Sequence, residues 1–261
     1  MMIGFDVKKH IQRNVQKTME EFAAREDIVT KFGTPLIGYV DARHPLFNIF
    51  MDKNMSDHPK NIYRPGITLI IHAIPYDMEA MRSNEEDGAP SPQWVRAFTE
   101  STWLSMAINR AVRGALDMAG RLSSCLNTPM DWNEKTFRGT WSHKLAAYAA
   151  GMGDFGPAES FRTADGCYGL RVGSLITDGK YAEEVEPMSD EQLEAAYLHI
   201  LRSSMYQEAD GISCSAEMIA ACPGNAISEK GIDRAKCQAY CKTIDEYIPC
   251  PDVCGKCFRF K

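Results

Sequence analysis

Gly66-Ile67-Thr68-Leu69-Ile70-Ile71-His72-Ala73-Ile74 is the stretch on which the fold turns. It is rich in β-branched residues and bounded by Pro65 and Pro75, which reads as a strand. Its alternate positions are apolar on both sides. A strand of that kind has both faces covered and lies inside a sheet. Working outward, Pro35-Leu36-Ile37-Gly38-Tyr39-Val40 and Tyr168-Gly169-Leu170-Arg171-Val172-Gly173-Ser174-Leu175-Ile176-Thr177 supply further strands.

The covering layers come from helical periodicity. Val7, Ile11, Val15, Met19 and Phe22 recur at three- and four-residue spacing and predict an amphipathic helix over 6–26. A long helix is predicted from Glu100 to Leu122, with Trp103, Ala107, Ala111, Ala115, Met118 and Leu122 as its apolar stripe, flanked by Ile108, Val112 and Ala119, and 84–93 as the loop before it. Ser142 to Ala150 reads as another, stopped by Gly151. Ser189 with Gln192 three residues on is a capping box that opens a helix running to about Tyr206. Interleaved helices and strands predict an α/β, layered core over 1–205. Residues 206–261 are cysteine-rich and poor in apolar period, the pattern of a small module held by metal rather than by its own core.

The chain has 261 residues, 44% hydrophobic and 25% charged, the balance of an ordinary globular protein. A formal charge of −6 lacks the positive field that phosphate backbones require, so no nucleic-acid partner is expected. No run approaches the ~20 apolar residues of a membrane helix. The N-terminus shows no export pattern, and a cytoplasmic location without membrane attachment is the expectation.

Nine cysteines are odd in number and lopsided in place: only Cys125 and Cys167 precede Cys214, and seven lie between Cys214 and Cys257. Reduced thiols crowded in this way point to a metal or a cluster. Cys222-Pro223 carries the Cys-Pro that ends the ferredoxin run C-x2-C-x2-C-x3-C-P, whose last cysteine ligates the other cluster in two-cluster ferredoxins. Counting back from Cys222, the remaining places hold Met218, Ser215 and Ile212. The second run offers Cys254-x2-Cys257, and its closing place is Lys261. One cluster has thus lost every ligand. The other keeps all four, Cys222, Cys237, Cys254 and Cys257, if Cys237 is a displaced first member. Four thiolates satisfy one [4Fe–4S] cluster. Zinc on four cysteines is the rival. Cys250-x3-Cys254-x2-Cys257 also has radical-SAM spacing, which needs a following barrel, and four residues remain. Cys214, Cys241 and Cys250 are left over, as packing residues or as part of a second, irregular site.

Gly151-Met152-Gly153-Asp154-Phe155-Gly156 has G-x-G-x-x-G spacing, but a helix precedes it and Pro157 follows, so it lacks the strand-turn-helix context of dinucleotide binding. It reads as a glycine-rich turn able to approach a ligand closely. The histidines His10, His44, His58, His72, His143 and His199 have no zinc-enzyme spacing.

Together these residues resemble the family of epoxyqueuosine reductases and corrinoid-dependent reductive dehalogenases. The resemblance rests on Lys144 to Gly156, on Arg171 to Asp178, on Cys222-Pro223 and on Lys236-Cys237-Gln238-Ala239-Tyr240, with Ile37 to Asp41 and Ile74-Pro75-Tyr76 as weaker support. It implies a nitroreductase-like core that binds a cobalamin-type corrinoid, and a ferredoxin-like C-terminal module that feeds it electrons. Gly151, Gly153, Gly156, Gly173 and Ser174 correspond to cofactor-lining positions. Two departures stand out. Members carry two clusters, where this chain keeps the ligands of one. The reductases' Asp-Tyr-His is replaced by Ser101-Thr102-Trp103, with Glu100 the nearest acid.

The reading is an oxygen-sensitive iron–sulfur oxidoreductase that passes electrons from one [4Fe–4S] cluster to a corrinoid-type cofactor or small-molecule substrate, its own donor being a ferredoxin or flavodoxin. A non-enzymatic electron carrier or activator and a zinc-stapled binding protein are the alternatives. Residues 229–261 carry seven basic and five acidic residues. That net +2 reads either as a solvated surface or as a functional feature, in which Lys256 and Arg259 lie on the exposed face nearest the cluster, raise its reduction potential and steer an acidic donor.

Overall fold

The computed structural model describes residues 6–86, 88–126, 133, 135, 137–164, 166, 169–205, 214–244 and 253–257. Cys167, Cys250 and Arg259 lie outside the described residues.

The sheet is the organising element. Strands β1 (Leu36–Asp41), β2 (Thr68–Pro75), β3 (Ser123–Cys125) and β4 (Leu170–Thr177) lie in the order β1-β2-β4-β3, and every pair is antiparallel. Strand β2 is central and buried from Thr68 to Ile74, as its two-sided apolar pattern requires. Its alternation divides the core. Ile70 and Ile74, with Leu175, face α1 (Val7–Ala23) and α2 (Pro92–Met118). Leu69, Ile71 and Ala73, with Val172 and Ile176, face α3 (Leu46–Asp52), α4 (His143–Ala149) and α5 (Asp190–Ser203). The result is a mixed α/β molecule with a sheet core between two helical layers.

Several boundaries follow local chemistry. Asp6 caps α1 through Lys9 N–H, and Ser142 caps α4 through Leu145 N–H. Both arms of the Ser189–Gln192 capping box form. Helix α2 departs from expectation. It starts at Pro92, with Ser91 accepting from Trp94 N–H, eight residues before the periodicity suggested. Its rotation also differs, because Leu104, Ile108, Val112 and Leu116 are buried while Trp103 and Met118 are 40% and 61% exposed.

Beyond α5, the described part of the cysteine-rich segment forms α6 (Ala216–Ala221), a hairpin of two-residue strands β5 (Ile227–Ser228) and β6 (Gly231–Ile232), and α7 (Arg234–Ile244). It packs on the first turns of α2: Cys241 and Val253 share a buried cluster with Tyr76, Trp94, Ala97 and Phe98.

Candidate metal centre

Cys222 terminates α6, Cys237 lies in the first turn of α7, and Cys254 and Cys257 stand on the segment that returns to α2. Distant in sequence, the four line one cavity of about 70 Å³. A single water needs only ~10–15 Å³, so the space suits a larger occupant. Pro223, Ala226, Ile227 and Ile232 supply an apolar wall, and Arg234, Tyr240 and Lys256 complete the lining.

Local backbone chemistry positions the sulfurs. Ala226 N–H donates to the Cys222 sulfur at 3.2 Å, across a turn in which Asn225 takes a positive φ of 49°. Between the last two cysteines, Gly255 has φ +60°, and a Cβ there would stand 2.6 Å from the Trp94 ring. Only glycine lets this loop lie against the indole. Trp94 Nε1–H donates to the Val253 carbonyl at 2.7 Å and Asn84 Nδ2–H to the Cys254 carbonyl at 2.9 Å, so α2 and the turn before it fix the loop from outside.

Burial pushes the Cys254 thiol up to about 11, and the neighbouring Cys237 and Cys222 sulfurs push the same way against the backbone N–H and charge of Lys256. Thiols that oppose one another's ionisation become thiolates when a cation takes up their charge. Among the described residues, no group of three or more His, Cys, Asp or Glu is gathered to hold a single ion. Zinc would take four such thiolates at about 2.3 Å from one point, and a polynuclear group of iron and sulfide would take one thiolate per iron.

The leftover thiols are elsewhere. Cys241, one turn after Cys237, is 2% exposed in the cluster on α2. Cys214 lies 3.3 Å from the Met205 sulfur, and Cys125 is exposed.

None of the five positions expected to line a corrinoid cleft lines the cysteine cavity. Gly151 closes α4, Gly153 lies in a short hairpin pairing Gly153–Phe155 with Phe161–Thr163, and Gly156 follows it. Gly173 and Ser174 are interior residues of β4. A Cβ on Gly173 would stand 2.4 Å from His72 Nε2, and Ser174 Oγ accepts from Trp141 Nε1–H at 3.0 Å and lies 2.7 Å from His143 Nδ1. At those two positions the neighbours are the protein's own His72, Trp141 and His143 side chains.

Glu100 is fully buried. Its carboxylate accepts from Thr30 N–H at 2.9 Å, from Val29 N–H at 3.3 Å and from the Arg96 guanidinium. Burial alone would raise its pKa, but these hydrogen bonds outweigh burial and hold it below the ordinary value. It is a structural anion tying 27–30 to α2. Ser101 and Thr102 accept hydrogen bonds from Arg171.

Lys256 corrects an expectation. It is 5% exposed, and its ammonium donates to the carbonyls of Asn84, at 3.0 Å, and Glu86. A side chain so enclosed offers no surface to a donor protein. The sequence held no sign of this, nor of Trp94 as the wall behind the cysteine loop.

No family model and no curated protein matches the chain. Among solved structures it is similar to epoxyqueuosine reductases. One, in complex with an epoxyqueuosine-modified tRNA stem loop, matches at 13% identity and TM-score 0.46 over 90% of this chain and 57% of the other. The Bacillus subtilis enzyme matches at 14% identity and TM-score 0.42 over 88% and 57%. That of Streptococcus thermophilus matches at 14% identity and TM-score 0.43 over 87% and 56%. The chain therefore spans a little over half the length of these structural neighbours.

Proposed function

We propose that the protein is an iron–sulfur oxidoreductase holding one [4Fe–4S] cluster on Cys222, Cys237, Cys254 and Cys257. The observation that carries the reading is the meeting of these four cysteines, and no other described cysteine, around one cavity. The sequence resemblance to epoxyqueuosine reductases and reductive dehalogenases supports the same class of chemistry. A cluster bound there supplies one-electron transfer.

The chain's own residues have definable tasks. The four thiolates bind. The Ala226 N–H steadies the Cys222 sulfur, a contact of the kind that tunes cluster potential. Trp94, packed against Gly255, keeps water from the inner side of the loop. The electron donor is a ferredoxin or flavodoxin, and the acceptor is a small molecule or cofactor. Glu100 is not the proton source for that acceptor, because its carboxylate is enclosed and committed to Val29, Thr30 and Arg96.

The test is anaerobic purification or reconstitution, followed by iron, sulfide, cobalt and zinc analysis of wild type and of single Cys→Ser variants. Four irons and four sulfides per chain are expected, with loss of visible absorption on replacing any one of the four cysteines and none on Cys125→Ser. Stoichiometric zinc without sulfide would overturn the reading.

A further inference from the structure

We propose that Lys256 is a positioning residue that sets the reduction potential of the cluster held by the four cysteines, as an enclosed positive charge that favours the reduced state. The inference rests on the cluster reading above and adds a residue to it.

Lys256 stands between two of the four thiols in sequence and is itself one of the residues lining their cavity. Its aliphatic stem is buried and its ammonium is fixed by the Asn84 and Glu86 carbonyls. The Asn84 side chain in turn donates to the Cys254 carbonyl and accepts from Ser91 N–H at 3.1 Å, and the residue is 4% exposed, so the residue that holds the ammonium is tied to the cysteine loop. The ammonium is thus held by two acceptors in an enclosed position beside the cysteine loop.

The consequence follows from charge balance. A [4Fe–4S] centre with four thiolates is anionic, and accepting one electron from a one-electron donor adds one negative charge while no bond is made or broken. A fixed cation beside it stabilises the more negative state more than the less negative one. In an enclosed site with little solvent screening the difference is large. A surface lysine would exert the same effect weakly, and salt would abolish it.

The experiment is an anaerobic redox titration of the reconstituted full chain, followed by visible absorption and electron paramagnetic resonance, for wild type, Lys256→Gln and Lys256→Arg. Glutamine still donates hydrogen bonds towards the two carbonyls but carries no charge. The Gln variant should hold the same iron and sulfide as wild type while its reduction equilibrium shifts about tenfold towards the oxidised form, about 59 mV for one electron. The Arg variant should stay near wild type. The shift should persist at about 1 M salt, where the screening length is about 3 Å. An unchanged potential in Lys256→Gln, an equal shift in Lys256→Arg, or a shift that vanishes in high salt would overturn the inference while leaving the cluster in place. Wild type without iron and sulfide would overturn the cluster reading itself.

Discussion

At the residue scale, buried polar side chains say most about how this interior behaves. His72 sits in the central strand, 2% exposed, with Nε2 2.8 Å from Ser105 Oγ. Burial, reinforced by the nearby His143 and Arg171 charges, depresses its pKa from 6.5 to about 3. Burial and Arg171 depress that of His143, a half-buried residue, to about 4. Both are neutral in the fold at pH 7, and in the unfolded chain both take up protons below about 6.5. The unfolded state thus binds more protons, and stability falls with pH. Their contribution is complete above pH 6.5 and is lost progressively as pH falls, down to about 3 for His72 and about 4 for His143. Each missing proton corresponds to about 1.4 kcal/mol per pH unit, with His72 the larger contributor because it is wholly enclosed. Urea midpoints between pH 7 and 4.5 should fall steeply for wild type and less steeply, by one proton, for His72→Gln. Equal slopes would show that His72 is protonated inside the fold. The strand carrying this histidine was legible from its residues; the electrostatics were not, because they depend on Gly173, Ser105 and Arg171 arriving from other elements.

At the scale of elements, helix α2 explains both what could be read and what could not. Its 27 residues span about 40 Å. The first turns cover the cysteine segment and the later ones the sheet. The start was legible in principle: serine followed by proline is an N-cap with proline at the first helical position. The acidic and proline-rich run before it reads more readily as loop. The rotation was not legible, because alanines at 107, 111 and 115 fit an apolar stripe in more than one phase, and neighbouring layers decide the matter. The bridging role predicts a separation of effects. Ser91→Ala removes the cap at a cost of about 1 kcal/mol and should leave the cluster's survival in air nearly unchanged. Trp94→Phe keeps the ring but leaves the Val253 carbonyl without its indole donor, costing about 1–3 kcal/mol, and should speed bleaching in air several-fold. Equal bleaching rates in both variants would show that the indole does not hold the loop.

At the scale of the whole molecule, the two-part organisation written in the sequence takes a different physical form. Composition separates 1–205 from 206–261, and the cysteine spacing singles out, without any knowledge of the sheet, four thiols that line one cavity. What composition conceals is the shared core. Cys241 and Val253 have their apolar neighbours in Tyr76, Trp94, Ala97 and Phe98, and the last cysteine pair is tied to the body through Asn84, Trp94 and Lys256. The short hairpin and two helices of the segment bury little of their own: Met218 joins Ala158 and Met205 from the body, and Arg234 pairs with Glu159. A fragment of 206–261 would expose those faces to water and retain four thiols without the wall that orders their loop. Such small units fold alone only when a staple makes up for the missing core. The expected outcome is that the fragment, reconstituted anaerobically with iron and sulfide, binds less iron than the full chain and loses it faster to a chelator. Adding separately expressed 1–205 should slow that loss, because it restores the Trp94 face. A fragment that holds its cluster as long as the intact protein would show that the metal alone orders the segment. In that case the contacts with α2 serve to dock a finished module, not to build it.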